Sequence, residues 1–350
     1  MTRRNIMALT ALIAMAVIFT ASAYFYRMRT FRRTDYALNT VITITASGSG
    51  AEAAERAAIG EIRRIDAAFN AHSQTSELAK LNGSPSGEWV HVSDELFALI
   101  EKALKISAKT DGAFDITLKP VSDLWAINTE NPRVPSGEEI ANALGKTGYK
   151  NIALDRDKCA VMFKKDGMEL DLGAIAKGYA ADRAAAIMRK NGIKSALLDL
   201  GGNVFAIGKR ADGKKWCIGL QTPYKQRGQY FKKIYIADSA AVTSGAYERY
   251  FTENGKMYHH ILDPKTGMPS ESKIKSATVV CPDSALADAL STAVFVSGED
   301  GVEKIAKNFK NLKITVLLND GKVERGVRTY SWTLEGVKYI CTQKNKKSMH

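Results

Sequence analysis

The chain has 350 residues, 45% hydrophobic and 25% charged, an ordinary globular composition that excludes collagen, coiled coil, a small disulfide scaffold and wholesale disorder. Its formal net charge is +13, but six arginines stand in residues 1–33 with no acid among them, leaving +7 spread along the remainder. That balance suits acidic small ligands; no basic stripe interleaved with aromatics argues for nucleic acid.

Residues 6–26 form an uncharged, largely apolar run, preceded by Arg3 and Arg4 and followed by Arg27, Arg29, Arg32 and Arg33. A helix of about 20 such residues spans a bilayer core. Two readings compete. One is a signal peptide cut after Ala21-Ser22-Ala23. The other is an uncleaved membrane anchor, whose Tyr24-Phe25-Tyr26 belt suits a membrane interface. Both imply an exported body, and with no cysteine in this stretch a lipid-modified anchor is excluded. The expected layout is a leader or anchor over 1–33, one domain over 34–343 and a polar tail over 344–350, frayed from Lys344.

Residues 38–45 alternate as a strand does, and residues 51–70 carry helical periodicity with Glu55, Arg56, Glu61, Arg63 and Arg64 facing outward. A second helix runs from about Ser93 to Thr110, capped by Ser93 with Glu95 in its first turn. Residues 128–137, with Pro132 and Pro135, read as a surface loop. Strands are predicted near 151–155, 159–163, 195–200, 204–208, 215–220, 234–237, 274–281 and 312–318, with helices near 174–190, 283–297 and 299–308. Pairs such as 195–200 and 204–208, split by Gly201-Gly202-Asn203, look like antiparallel hairpins. The expected class is therefore α+β: a single domain of mixed and antiparallel sheets with packed helices, preceded by the N-terminal hydrophobic helix. Cys159, Cys217 and Cys281 lie in apolar segments and read as buried hydrophobes; with Cys341 they make four, none in a CxxC pair, and no disulfide is assignable.

Three segments concentrate chemistry. In the first, from Glu169 to Asp182, a short strand ends at Asp171, Gly173 turns, and a helix begins near Ala174. A helix start exposes unpaired N–H groups and a partial positive charge. Lys177 in its first turn is disfavoured by that dipole, so an anionic ligand explains it better than helix stability does; an ordinary turn with a solvated lysine is the even-odds alternative. In the second, Asp288 and Thr292 are four apart and share one helix face among alanines and leucines, where a lone carboxylate is costly. Such hard oxygens suit Mg2+, although a simple Asp–Thr hydrogen bond is the commoner fate of that pair. In the third, His259 and His260 precede an Asp263-Pro-Lys-Thr266-Gly267 turn, and as strand neighbours they face opposite sides, so at most one enters a given site. Ser244 and Gly245 at a strand end, and Gly112 to Asp115 after the second helix, offer further contacts. No serine-hydrolase elbow, Walker A loop, Rossmann fingerprint or HExxH motif is present.

Taken in this order, the segments resemble the ApbE family, the Mg2+-dependent FAD:protein FMN transferases, over about residues 35–340. The resemblance rests on residues 69–82, 112–115, 171–179, 199–203, 243–245, 260–267 and 288–292. It implies an exported, often membrane-tethered enzyme that moves FMN from FAD to a Ser or Thr hydroxyl of a partner protein and releases AMP. The acceptors it implies are subunits of membrane redox complexes and other exported electron-transfer proteins. By motif position it places Mg2+ on Asp288, Thr292 and the Ala174 carbonyl. It places FAD against Leu38, His72, Ala113, Phe114, Asp115, Asp171, Lys177, Ser244, Gly245, His260 and Leu262. His260, near its ordinary pKa of about 6.5, is the implied base, with Lys177 and Asp171 as the other catalytic groups. Two positions depart from the family pattern: Leu38-Asn39-Thr40 stands where Met-Gly-Thr is usual, and His72 where an aromatic residue is frequent. Two other outcomes remain open on the same residues, an FAD pyrophosphatase giving FMN and AMP, and an exported FAD-binding protein without turnover.

Overall fold

Helix α1 (Arg3–Met28) leads into strand β1 (Thr30–Ala37), which turns into β2 (Thr40–Ser47). Helices α2 (Ala51–Phe69) and α3 (Glu77–Asn82), strand β3 (Val90–His91), and helices α4 (Asp94–Lys109), α5 (Lys119–Trp125) and α6 (Gly137–Leu144) follow. Strands β4 (Ile152–Asp155) and β5 (Ala160–Phe163) join β3 in a small sheet. Helix α7 (Gly173–Lys190) precedes β6 (Ser195–Leu200), β7 (Asn203–Ile207), the hairpin β8–β9 (Trp216–Gln221, Tyr230–Ile236) and β10 (Ser239–Gly245). The hairpin β11–β12 (Tyr250–Glu253, Lys256–His259), β13 (Ile274–Cys281), helix α8 (Ser284–Asn308), β14 (Leu312–Leu318), β15 (Val327–Thr333) and β16 (Gly336–Ile340) complete the order. This computed structural model describes residues 3–127, 129–318, 327–333 and 336–340; the expected tail, 344–350, and Cys341 lie outside the described residues.

β1, β2, β6, β7, β10, β13, β14, β15 and β16 form one sheet in that order, every neighbouring pair antiparallel. Alternation along each strand decides what covers each face. On β6, Ala196, Leu198 and Leu200 meet the main core with α2, α7 and α8, whereas Leu197 faces the other way, into a second cluster under the β8–β9 hairpin. Each fully buried Ile or Leu in the main core, such as Ile62 or Leu198, contributes about 1.5–3 kcal/mol by leaving water. A third cluster gathers α5, α6 and the β11–β12 hairpin around Trp125, whose indole N–H donates to the Gly267 carbonyl at 2.8 Å.

The α+β class and the antiparallel pairing agree with the sequence reading, and Ser93 caps α4 by accepting the Leu96 N–H at 3.2 Å. The expected strand over 38–45 is instead a hairpin. Leu38 and Asn39 form its two-residue turn at φ 53° and 55°, and β1 lies upstream, starting at Thr30. β1 escapes a search for apolar alternation because Arg32, Thr34 and Tyr36 occupy its exposed side at the sheet's edge. Cys217 is exposed rather than buried, because it lies on the side of β8 turned away from the sheet; Cys281 is buried, and Cys159, Cys217 and Cys281 are free thiols. The two helices expected over 283–297 and 299–308 are present within α8, divided at Gly298, whose φ 68° and ψ −173° are not helical.

The large sheet has two distinct ends. At one, Thr30 lies opposite Ser47, Ser47 opposite Ser195, and Ala196 opposite Ile207. At the other, the Leu38-Asn39 turn, the Leu200–Asn203 turn and Gly245 come into line. Gly201 sits in that second turn at φ 65°, where an added Cβ would fall 1.9 Å from Thr40 Oγ1, so only glycine fits. α1 joins the body at the Thr30 end. Its described side chains from Leu12 to Phe19 include Leu12, Ile13, Val17, Ile18 and Phe19, all exposed. Among the described residues no helix is long and apolar enough to cross a membrane; the side chains of residues 21–28 are not among them.

Candidate active site

The second end of the sheet is where the chemistry-bearing segments converge. α7 and α8 cross there at close range, without a side chain between them at Gly178. A Cβ on Gly178 would meet the Ser284 carbonyl oxygen at 2.2 Å. Two carboxylates fasten this crossing in opposite directions. Asp182 of α7 accepts the Ser284 and Ala285 N–H groups of α8, each at 2.9 Å, and Asp288 of α8 accepts the Gly178 N–H of α7 at 2.9 Å. Burial raises the Asp182 pKa to about 6, although its two amide bonds pull the other way. Asp283 caps α8 through the Leu286 N–H and is itself held by Lys102.

Asp288 is 3% exposed, and its second oxygen lies 3.7 Å from the Lys177 ammonium. Lys177, partly exposed, also donates to the Gly173 carbonyl at 2.8 Å, and its charge offsets the buried carboxylate. One turn further along α8, Thr292 Oγ1 stands 3.3 Å from Ser244 Oγ of β10. Ser244 also pairs with the fully buried Ser291 at 2.7 Å, and Ser291 donates to the Asp288 carbonyl at 2.8 Å. The Thr292 hydroxyl is thus committed to β10, not to Asp288. In an α-helix the Gly178 N–H would serve the Ala174 carbonyl. A carbonyl has two lone pairs, so one helical bond leaves the Ala174 oxygen a second position for a further partner.

His260 follows the β11–β12 hairpin. Its Nδ1 and its backbone N–H both approach the Arg249 carbonyl at 3.1 Å. A carbonyl only accepts, so Nδ1 carries the proton and Nε2 presents a lone pair. Arg249 in turn donates to the Asn39 carbonyl at 3.1 Å, tying this ring to the Leu38-Asn39 turn. Burial pushes the His260 pKa down to about 3, helped by the Arg249, His259 and Lys177 charges and opposed by the Arg249 carbonyl. The ordinary value near 6.5 expected for this histidine is therefore shifted down, and the ring is neutral at neutral pH. His259 points the other way, buried edge-on against Phe295 with Nε2 on the Ser270 carbonyl, as strand alternation requires.

The model of the ApbE family matches residues 38–317. The chain belongs to the ApbE family. A Treponema pallidum protein named FAD:protein FMN transferase is 32% identical over 314 residues, covering 85% of this chain and 87% of that one. A Klebsiella pneumoniae protein of the same name is 37% identical over 237 residues, 68% of this chain and 73% of its own. Among solved structures, the Thermotoga maritima ApbE protein superimposes with TM-score 0.75 at 36% identity, covering 89% of this chain and 97% of that one. The Pseudomonas stutzeri flavinyl transferase ApbE in its apo form gives TM-score 0.75 at 28% identity, over 87% and 95%.

The residues that the ApbE resemblance named fall into two groups. Asp288, Thr292, Ala174, Lys177, Ser244, Gly245 and, through Arg249, His260 and Leu38 share one end of the sheet. Asp171 joins them by accepting the Gly173 N–H at 2.7 Å at the start of α7, while its own N–H donates to the Ile116 carbonyl at 2.8 Å. Others are turned to structural work. Asp115 accepts from Thr117 and from the Tyr149 N–H at 2.9 Å and is raised in pKa by burial; Phe114 is 1% exposed, buried in the core. Leu262 packs in the Trp125 cluster, and His72 is exposed in the turn after α2, its N–H on Asn70 Oδ1. Next to Ala113 and Asp263 opens a cavity of about 230 Å³, lined also by Lys109, Lys265, Ser297 and Lys304. It lies below the roughly 300–1,000 Å³ of ordinary ligand pockets. Gly178, Asp182, Ser291 and Arg249 were not identified from sequence; each lay inside or beside a quoted motif, but their partners come from distant segments.

Among the described residues no three His, Cys, Asp or Glu side chains converge. What the crossing offers is one buried carboxylate, one hydroxyl and one main-chain carbonyl, all hard oxygens. That set fits Mg2+, which keeps waters and substrate phosphates as its remaining ligands, and does not fit zinc.

Proposed function

We propose that this chain transfers the FMN moiety of FAD to a serine or threonine hydroxyl of a partner protein and releases AMP. The observation that carries the reading is the His260 ring, fixed through Nδ1 on the Arg249 carbonyl so that Nε2 is free to accept a proton, at the same sheet end as the buried Asp288 and its Lys177 partner. The acceptor oxygen forms a bond to the flavin-side phosphorus while the bond from that phosphorus to the AMP oxygen breaks. His260 Nε2 takes the hydroxyl proton, held in register by the Arg249 carbonyl. Lys177 lies where charge grows on the phosphoryl oxygens and offsets it. Asp288, Thr292 and the Ala174 carbonyl would hold Mg2+, which when bound neutralises pyrophosphate charge. Ser244 and Ser291 fix the Thr292 hydroxyl in place. We also propose export, with residues 6–26 retaining the protein at a membrane, supported by their uncharged length. Subunits of membrane redox complexes are the acceptor class that this compartment favours.

The test mixes the protein with FAD, Mg2+ and an acceptor domain bearing a candidate threonine. An acceptor mass gain of one FMN phosphoester, matched by AMP and lost in EDTA, supports transfer. FMN and AMP released with every tested acceptor unmodified moves the reading to a pyrophosphatase, and bound FAD without AMP to a binding protein.

The His260 assignment has its own check. A folded pKa below the unfolded value of about 6.5 means the unfolded chain binds the proton first. Stability from this group is therefore complete above about pH 6.5 and declines as pH falls toward about 3. In NMR titration its ring resonances, assigned by their loss in His260→Gln, are expected to stay neutral-like from pH 8 to about 5. A midpoint near 6.5 would show a solvated ring.

A further inference from the structure

The end of the sheet opposite the active site carries a charge pattern that catalysis does not use. Lys194 leads into β6, the turn 209–215 follows β7, and Arg29 immediately precedes β1. Pairing across the sheet sets these segments side by side: Gly208 packs against the Lys194 carbonyl, Asp238 accepts the Gly208 N–H, and Arg29 O accepts the Gly48 N–H. The acids of this end are already engaged. Asp212 pairs with Arg210, Asp238 with Arg189, and Glu52 with Arg56. Arg29, Lys190, Lys194, Lys209, Lys214 and Lys215 are exposed, and no carboxylate pairs with them among the described residues.

α1 joins the body at this same end, one residue before β1. Eight-residue β1 then runs the depth of the sheet to the Leu38-Asn39 turn beside His260, about 25 Å away. We infer that this basic end is a lipid-facing surface: it rests on anionic headgroups of the membrane that residues 6–26 enter, and so holds the catalytic mouth pointing away from the bilayer. The inference rests on the membrane retention proposed above. Charge complementarity selects the occupant, because unpaired lysines within a Debye length of an anionic leaflet are attracted to it. An uncharged, aromatic-lined contact with a protein would show the opposite composition, since lysine is depleted from protein interfaces. The consequence for function is directional. The acceptor hydroxyl must be delivered from the aqueous side, at least the depth of the sheet from the headgroups, and not from the membrane plane.

The experiment uses the full chain reconstituted into vesicles of phosphatidylcholine alone, or of phosphatidylcholine with phosphatidylglycerol, with flotation confirming association. Brief amine acetylation read by peptide mass spectrometry then reports each lysine. With phosphatidylglycerol, Lys194, Lys209, Lys214 and Lys215 are expected to react about threefold more slowly than with phosphatidylcholine, and high salt should abolish the difference. Lys225, in the exposed turn at the other end of the β8–β9 hairpin, should not change. The triple variant Lys209→Glu, Lys214→Glu, Lys215→Glu should float equally well, lose the protection at Lys194 and keep its transfer rate on a soluble acceptor. Equal labelling in both lipids, protection at Lys225 instead, or protection that appears only with an added acidic acceptor domain overturns the lipid docking while leaving retention intact. A full chain that does not float with either vesicle overturns retention, and the docking with it.

Discussion

Asp288→Ala is expected to lower FMN transfer at least about a hundredfold, the scale on which removing one preorganised charged group acts. The substitution does two separate things. It deletes the carboxylate at the α7–α8 crossing that faces Lys177, at 3.7 Å. It also strands the buried Gly178 N–H, an unmade hydrogen bond that costs about 1–3 kcal/mol. Asp288→Asn separates these effects. Its amide oxygen still accepts the Gly178 N–H, so the melting temperature should stay within a few degrees of wild type. The charge is gone, so transfer should fall nearly as far as in the alanine variant. In-gel flavin fluorescence of the acceptor, read beside thermal melts, checks both. An Asp288→Asn enzyme that keeps a tenth or more of the rate would remove the carboxylate from the chemistry.

Much of this was legible in the chain itself because the signals are local. Ser93 three residues before Leu96 is a cap whatever surrounds it, and Gly201-Gly202 between two apolar runs is a hairpin turn. The spacing of Asp288 and Thr292 placed both on one face of α8 without knowledge of α7. Partners were not legible. Neither sequence position nor period says that Asp288 meets Gly178, 110 residues away, or that Thr292 is claimed by Ser244 of β10 rather than by the aspartate one turn before it. β1 hid for a different reason: at the sheet's edge its exposed side is polar and charged, so apolar alternation starts only at β2. The short helices α3, α5 and α6 span too few turns for a 3.6-residue period to show. The His260 pKa failed for the same reason as the partners. Its ordinary value belongs to a solvated ring, and desolvation is a property of the packed molecule.

Gly178→Ala should destabilise the fold by about 3 kcal/mol, the upper range for forcing a methyl into a packed interior. The sign is what makes the variant informative. Alanine in a helix interior is worth about 1 kcal/mol more than glycine, so on propensity alone the change would stabilise α7. Against that stands the crossing. The new methyl would lie 2.2 Å from the Ser284 carbonyl oxygen, 2.6 Å from its carbon and 2.7 Å from Ala285 Cα, all main-chain atoms that no rotamer change can move. Relief requires α8 to back away from α7. That lengthens both Asp182–amide bonds and the Asp288–Gly178 bond together, since all of them bridge the same two helices. Transfer activity should therefore fall with stability, although Gly178 itself carries no reactive group. Urea unfolding and transfer assays on the same preparation check the pairing. A variant that melts higher than wild type would mean that propensity prevails and that the helices do not approach as closely as this. One that loses stability but transfers normally would detach the crossing from the chemistry. The coupled loss is the expected result, because the close approach that only glycine permits is what brings a carboxylate on one helix and an ammonium on the other to a single point.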